Sequence, residues 1–345
     1  MRSGPMLALA AALLFGLGTP AAKRLVGTTD PWLLAGLLYL GSGVGLAAVR
    51  LAARMRGRRV LALSRSELPW LGGAIVSGGV IGPVLLMMAL AGSSAAQTSL
   101  LLNLEGVFTA LIAWVVVREH VDGRIAAGMA AIAACAVVLS WSDGVFVIDR
   151  SALLVAGACL AWAIDNNLTR RVSDADAVDV ALLKGLVAGV INVVLAAAHG
   201  AAMPSPLAVL GAGTIGLLSY GTSLVLFVLA LRHLGAGRTG AYFATAPFVG
   251  AIGAVVALGE PLDVRLAIGG ALMAAGVWLH LSERHEHAHV HEALAHAHLH
   301  RHDEHHRHEH PPGGSPREPH RHWHVHERLE HRHPHYPDVH HRHRH

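Results

Sequence analysis

Charge is what this chain has least of. Only 14% of its 345 residues are Asp, Glu, Lys or Arg, and 22 of those 50 sit in the last quarter. With 53% of the chain hydrophobic, the first 280 residues or so are too apolar for a soluble fold and read as a polytopic membrane region. Cysteine is scarce too. Cys135 and Cys159 stand alone inside apolar runs with no CxxC spacing, which excludes a disulfide framework or a zinc knuckle and leaves both as packing residues. Lysine is limited to Lys23 and Lys184. The basic balance is therefore arginine, held in short loops and in the tail, with no groove-lining face, so no nucleic-acid partner is expected.

What the chain has in quantity is apolar runs near the roughly 20 residues that hydrocarbon requires. They cover 6–22, 31–49, 68–90, 95–117 and 125–141, and then 152–168, 181–198, 207–231, 236–258 and 264–281. The expected fold is all-α, with ten transmembrane helices. The first run is read as a span and not as a cleaved signal, because Lys23 and Arg24 follow it at once and because it has a later echo.

That echo belongs to an internal repeat. A shift of 141 residues lays Thr98 on Thr239, Val107 on Phe248, Glu119 on Glu260, Asp122 on Asp263, Arg124 on Arg265 and Gly128 on Gly269. The first span likewise aligns with the sixth, Phe15 on Trp162 and Lys23 on Arg170. The expected units are a first five-helix repeat, 1–142, a second, 143–282, and a tail, 283–345. Five is odd, so the second copy enters the membrane from the other side, giving an inverted repeat. Arg50, Arg54, Arg56, Arg58, Arg59, Arg65, Arg118, Arg170, Arg171, Arg232 and Arg238 fall on one side, against Lys23, Arg24, Arg150 and Arg265 on the other. By the positive-inside rule both termini are expected in the cytoplasm of a cell with this protein in its inner membrane.

Polar residues inside such spans are the candidates for function. Glu105 lies about 12 Å from the outer end of its span, where an unpaired charge costs at least a few kcal/mol. Thr98, Glu105 and Thr109 fall at i, i+7 and i+11, on one face of a continuous helix. Glu105 either faces a wet cavity, holding a proton or the amine of a cargo, or bonds a neighbouring helix as a neutral acid. Asp165, Asn166 and Asn167 cluster near one end of the sixth span, opposite a Thr19-Pro20 break expected in the first. Three such side chains must face one another, water or a ligand, which leaves a gate, a cargo contact or a structural network open. Tyr242 and Thr245 suit a pocket wall or a core hydrogen bond equally. Trp162 and Tyr220 are aromatic wall candidates, while Gly41 with Gly45 and Gly78 with Gly82 fit close helix packing.

The tail is of another kind. From His280 onward it holds 24 of the 27 histidines, with almost nothing apolar to bury, so it is expected to be disordered. His285, His287, His289 and His291 alternate, as do His296, His298, His300 and His302. Neutral imidazoles in such numbers suit zinc, nickel, cobalt or copper(II); a merely solvated tail is the alternative. His285-Glu286-His287-Ala288-His289 matches HExxH by chance in so histidine-rich a stretch.

Two five-helix units, each closing through Arg118-Glu119 to Gly128 or Gly259-Glu260-Pro261 to Gly269, with Trp162-Ala163-Ile164-Asp165-Asn166-Asn167 opening the second, resemble the EamA repeat of the drug/metabolite transporter superfamily. The resemblance covers about residues 6–282 and implies a permease, not an enzyme, that moves small organic metabolites, often outward, across the lipid bilayer. It implies no required cofactor and leaves the oligomeric state open. A divalent-metal exporter and a non-transporting metal sensor remain the alternatives that the tail suggests.

Overall fold

The computed structural model describes residues 3–55, 66–117, 123–142, 145–146, 149–169, 172, 176–234 and 236–281 of the apolar region, and 286–291, 294–300, 320–326 and 329–334 of the tail. It divides into two compact units, Met1–Glu283 and Arg284–His345.

The first unit is helical. It contains α1 (Ser3–Val26), α2 (Pro31–Met55), α3 (Leu68–Gly92), α4 (Ala95–Val116) and α5 (Gly123–Leu139). A short antiparallel pair, β1 (Trp141–Ser142) with β2 (Val145–Phe146), links these to the second set. That set has α6 (Arg150–Thr169), α7 (Ala177–Ala198), α8 (Pro206–Ile215 continuing through Gly216–Thr222 and Ser223–Leu234), α9 (Ala236–Phe243 and Ala246–Leu258) and α10 (Val264–Leu281). Among the described residues seven helices are long and apolar enough to cross a membrane, and three shorter apolar ones, Gly123–Leu139, Ala246–Leu258 and Val264–Leu279, stand where the remaining spans were expected. Large apolar side chains cover the outside, with Val256, Leu207 and Val116 each more than 70% exposed. Water would not tolerate such a surface; lipid does.

The repeat is visible in the irregularities as much as in the helices. α3 widens into π turns over Ile75–Ile81 and α8 does so over Gly216–Thr222, 141 residues on. α4 breaks at Leu102 and Asn103, and α9 breaks at Ala244 and Thr245, within one residue of the same shift. The two halves run in opposite directions where they meet. Along α2 and α7, Gly36 lies against Val193, Leu40 against Gly189 and Gly43 against Gly185. Along α5 and α10, Ile132 meets Gly276 and Leu139 meets Gly269. In both pairs one number rises as the other falls, so equivalent helices are antiparallel. Glycine permits the first of these crossings: a Cβ on Gly185 would stand 2.8 Å from Gly43 Cα.

Polar side chains close the helix ends at one face of the bundle. Glu260 accepts from the first free amides of α4, Ala95 N at 2.7 Å and Ala96 N at 2.8 Å, while Ser94 caps the same helix through Gln97 N at 3.0 Å. Lys23 Nζ donates to the last carbonyls of α3, Leu90 at 2.5 Å and Ser93 at 2.7 Å. Arg24 donates to the Ala257 carbonyl at 2.7 Å.

One expectation needs correction. α1 runs unbroken through Thr19 and Pro20, because neighbouring helices of a membrane bundle can satisfy the carbonyl that proline leaves free. Among the described residues of the tail, β3 (Glu286–His291) pairs antiparallel with β6 (Leu329–Pro334), and β4 (Leu294–His300) with β5 (His320–His326). Strict alternation is the period of a strand.

Candidate functional site

A cavity of about 590 Å³ lies among the helices of both halves, a size that suits a small organic ligand. Its wall takes Phe15 from α1, Tyr39 and Ser42 from α2, Glu105 from α4, Trp162, Asp165, Asn166 and Thr169 from α6, and Lys184 and Gly185 from α7. Ser219, Tyr220, Ser223 and Phe227 come from α8 and Phe243 from α9. The void reaches Thr169, Val172 and Val180, at the opposite end of the helices from Glu260, Lys23 and Arg24.

The π turns of both halves serve this wall. In α3 they leave the Gly78 carbonyl to accept from Tyr39 Oη at 2.8 Å and from Trp162 Nε1 at 2.9 Å, which fixes two aromatic rings. Asn192 Nδ2 donates to the next carbonyl, Gly79, at 3.1 Å, and Ser77 Oγ donates to Ala161 at 2.6 Å. In α8 the equivalent turns carry Ser219 and Tyr220 into the wall. Turns of this kind recur at functional sites because they re-aim side chains and free backbone acceptors.

The charged groups are arranged in two sets. Lys184 Nζ lies 2.6 Å from both carboxylate oxygens of Asp165, and Thr169 Oγ1 adds a third bond to Asp165 Oδ1 at 2.9 Å. Asp165 is buried and its neighbour Gly78 must lack a side chain, because a Cβ there would overlap Asp165 Oδ2. Glu105 has a different partner: Asn166 Nδ2 donates to its Oε1 at 2.8 Å and reaches Thr109 Oγ1 at 3.5 Å. Among the described residues, then, Lys184 neutralises Asp165, and Glu105 meets a neutral amide.

The structure thus brings Glu105, Asp165 and Asn166 together on the cavity, with Thr109 beside them. Asn167 ties α6 to α4, its Nδ2 donating to the Ala163 carbonyl at 2.9 Å and the Thr109 carbonyl at 3.5 Å. Trp162 and Tyr220 line the wall. Thr98, Tyr242 and Thr245 do not. Thr98 is fully buried and bonded to Ser93 Oγ at 2.8 Å, because the break at Leu102 and Asn103 turns the two parts of α4 and dissolves the single face that linked it to Glu105. The break in α9 does the same for Tyr242 and Thr245, whose hydroxyl is taken by the Tyr242 carbonyl at 2.6 Å. Lys184, Tyr39, Phe15, Phe227 and Phe243 were missed. A lone lysine inside an apolar run was the available signal for the first; nothing in the sequence separates the rings from packing residues.

The tail candidates fall partly on strands: His287, His289 and His291 on β3, His296, His298 and His300 on β4. His285 and His302 lie outside the described residues. In register, His296 faces His324, His298 faces His322 and His300 faces His320, while His287 faces His333 and His289 faces His331.

Known proteins resemble this chain over the same region. The model of the EamA-like transporter family matches residues 2–141 and again 149–282. An uncharacterized transporter of Methanothermobacter thermautotrophicus (strain Delta H) is 26% identical over 287 residues, 79% of this chain and 84% of that protein. A crystal structure of a protein superposes with a TM-score of 0.60 at 20% identity, over 81% of this chain and 96% of that one, a likeness of fold alone.

Proposed function

This chain belongs to the EamA-like transporter family, and from that premise we propose that it is a secondary permease exporting a small organic metabolite, with Glu105 exchanging a proton for cargo. The carrying observation is the cavity itself, shared by both halves and holding a carboxylate whose described partner is the neutral Asn166. An acid so placed takes up a proton or a cation in turn, since the bare charge is costly in the bilayer. The arginine asymmetry supports cytoplasmic termini in the inner membrane. On that orientation the cavity reaches toward the cytoplasm while Glu260, Lys23 and Arg24 join helix ends outside, an arrangement ready to load for export.

Metal as cargo is the weaker reading. Among the described residues no three His, Cys, Asp or Glu side chains are grouped to hold an ion, and one of the two cavity carboxylates already has Lys184. The tail is better suited to metal than the cavity is, because its register sets histidine opposite histidine and imidazole suits zinc, nickel, cobalt and copper(II).

The test is reconstitution into liposomes and a panel of amino acids, nucleobases, amines and the metals nickel, cobalt and zinc, under an imposed proton gradient. Organic flux that collapses in a folded Glu105→Gln variant supports the proposal. Flux indifferent to that substitution and to pH removes the proton role, and metal flux without organic flux replaces the cargo.

A further inference from the structure

The wall of the cavity combines an aromatic set with a charged set, and the two together specify a ligand. The chain has six Phe and four Tyr, of which Phe15, Phe227, Phe243, Tyr39 and Tyr220 all line this one void. They form a connected strip. Tyr39 and Tyr220 have ring centroids 5.6 Å apart, Tyr220 and Phe15 5.9 Å, Phe15 and Phe243 5.3 Å, and Phe243 and Phe227 4.9 Å. Trp162 joins from α6. The same void is also lined by Asp165 with Lys184, and by Glu105.

Among the described residues of the wall the charged side chains are Glu105, Asp165 and Lys184, a balance of minus one. Lys184 is spent on both oxygens of Asp165 and its side chain is only 18% exposed, so it is poorly placed to receive an anion. Glu105, with an amide for its described partner, is the charge left to be matched. Of the wall's hydroxyls, Ser223 Oγ donates to the Ala11 carbonyl at 2.9 Å and Thr169 Oγ1 to Asp165 at 2.9 Å. Aromatic faces attract a cation and bury an apolar body at the same time, whereas they repel an anion.

We infer that the cavity selects organic monocations with a flat apolar body, the cationic head at Glu105 and the body along the Tyr39-to-Phe227 strip. The inference deepens the transport reading by naming its cargo class, and rests on that reading only for the cavity's being the cargo site. Recognition at Glu105 also fits the proton exchange proposed above, because cation and proton then compete for one carboxylate and occupy it in turn.

The experiment uses the full chain in nanodiscs and four probes of similar size: benzyltrimethylammonium, 3-phenylpropionate, phenylalanine and benzyl alcohol, a permanent monocation, an anion, a zwitterion and a neutral molecule. Calorimetry is expected to show benzyltrimethylammonium binding at least tenfold tighter than the other three. Glu105→Gln is expected to remove at least nine-tenths of that affinity, and Phe243→Leu to weaken it several-fold while the protein keeps its elution profile. Equal or tighter binding of any other probe, binding of none, or cation binding unchanged by Glu105→Gln in a folded protein overturns the inference. If Glu105→Gln does not fold, the ranking of the four probes on the native chain decides. Liposome flux separates the two readings: cation binding without flux defeats transport and leaves selectivity standing, while flux of a neutral or anionic solute without cation binding defeats selectivity and leaves transport.

Discussion

Lys184 Nζ stands 2.6 Å from each carboxylate oxygen of Asp165, a bridge from α7 to α6 at the wall of the central cavity. Neither group is comfortable alone at that depth. Lys184→Met leaves Asp165 buried without its cation, and a loss of about 3 kcal/mol is expected, read as a drop in melting temperature in detergent. Adding Asp165→Asn to Lys184→Met is expected to recover most of it, since the pair is worth less than the penalty for breaking it. A double variant no more stable than the single one would show the bridge to be incidental.

Gly78 has a packing role that can be separated from helix propensity. A Cβ at Gly78 overlaps the Asp165 carboxylate, whereas one at Gly72, also in α3, meets nothing within 4 Å. Gly78→Ala is therefore expected to destabilise the protein by about 1–3 kcal/mol through overpacking and to impair transport. Gly72→Ala is expected to be neutral or slightly stabilising. Matched thermal melts of the two variants, with flux assays on each, check this; equal behaviour would contradict it.

Glu260 caps α4 with two bonds, to Ala95 N at 2.7 Å and Ala96 N at 2.8 Å, from a residue 164 or more positions away. Glu260→Ala is expected to cost about 1–2 kcal/mol and to speed hydrogen exchange at Ala95 and Ala96 specifically. Glu260→Gln, which retains an acceptor oxygen, is expected to lose less. Exchange rates at those amides unchanged in Glu260→Ala would rule the cap out.

The tail is expected to bind metal independently of transport. Nickel titrated into the full chain should give heat that vanishes when the chain is cut after Leu281, while organic flux persists. Because only the neutral imidazole ligates, affinity is expected to fall as pH drops through about 6.5. Flat titrations across that range, or loss of flux on truncation, would count against separate roles.

Some of the site was legible in advance and some was not. Glu105, Asp165 and Asn166 stood out because an acid or a polar cluster in an apolar run has few ways to be tolerated. Thr98 was drawn in by a periodicity that presumes an unbroken helix, and the turn at Leu102 and Asn103 removes that premise. Lys184 and Asp165 are only 19 residues apart, yet they sit on separate helices, so no spacing rule connects them. The tail's alternation also has the period of a strand, and the pairing of β3 with β6 joins segments some 40 residues apart.

The sequence alone determined that this is a helical membrane protein with an internal repeat, because hydrophobicity and self-similarity are written along the chain and hydrocarbon admits few backbone conformations. The inversion followed from parity. Only the tertiary structure decided which polar groups share a cavity, which carboxylate is neutralised and which is not, and that five rings from both halves form one wall. Those are relations between helices that cross antiparallel at a distance set by glycine, and a one-dimensional pattern carries no record of azimuth once a helix breaks or widens.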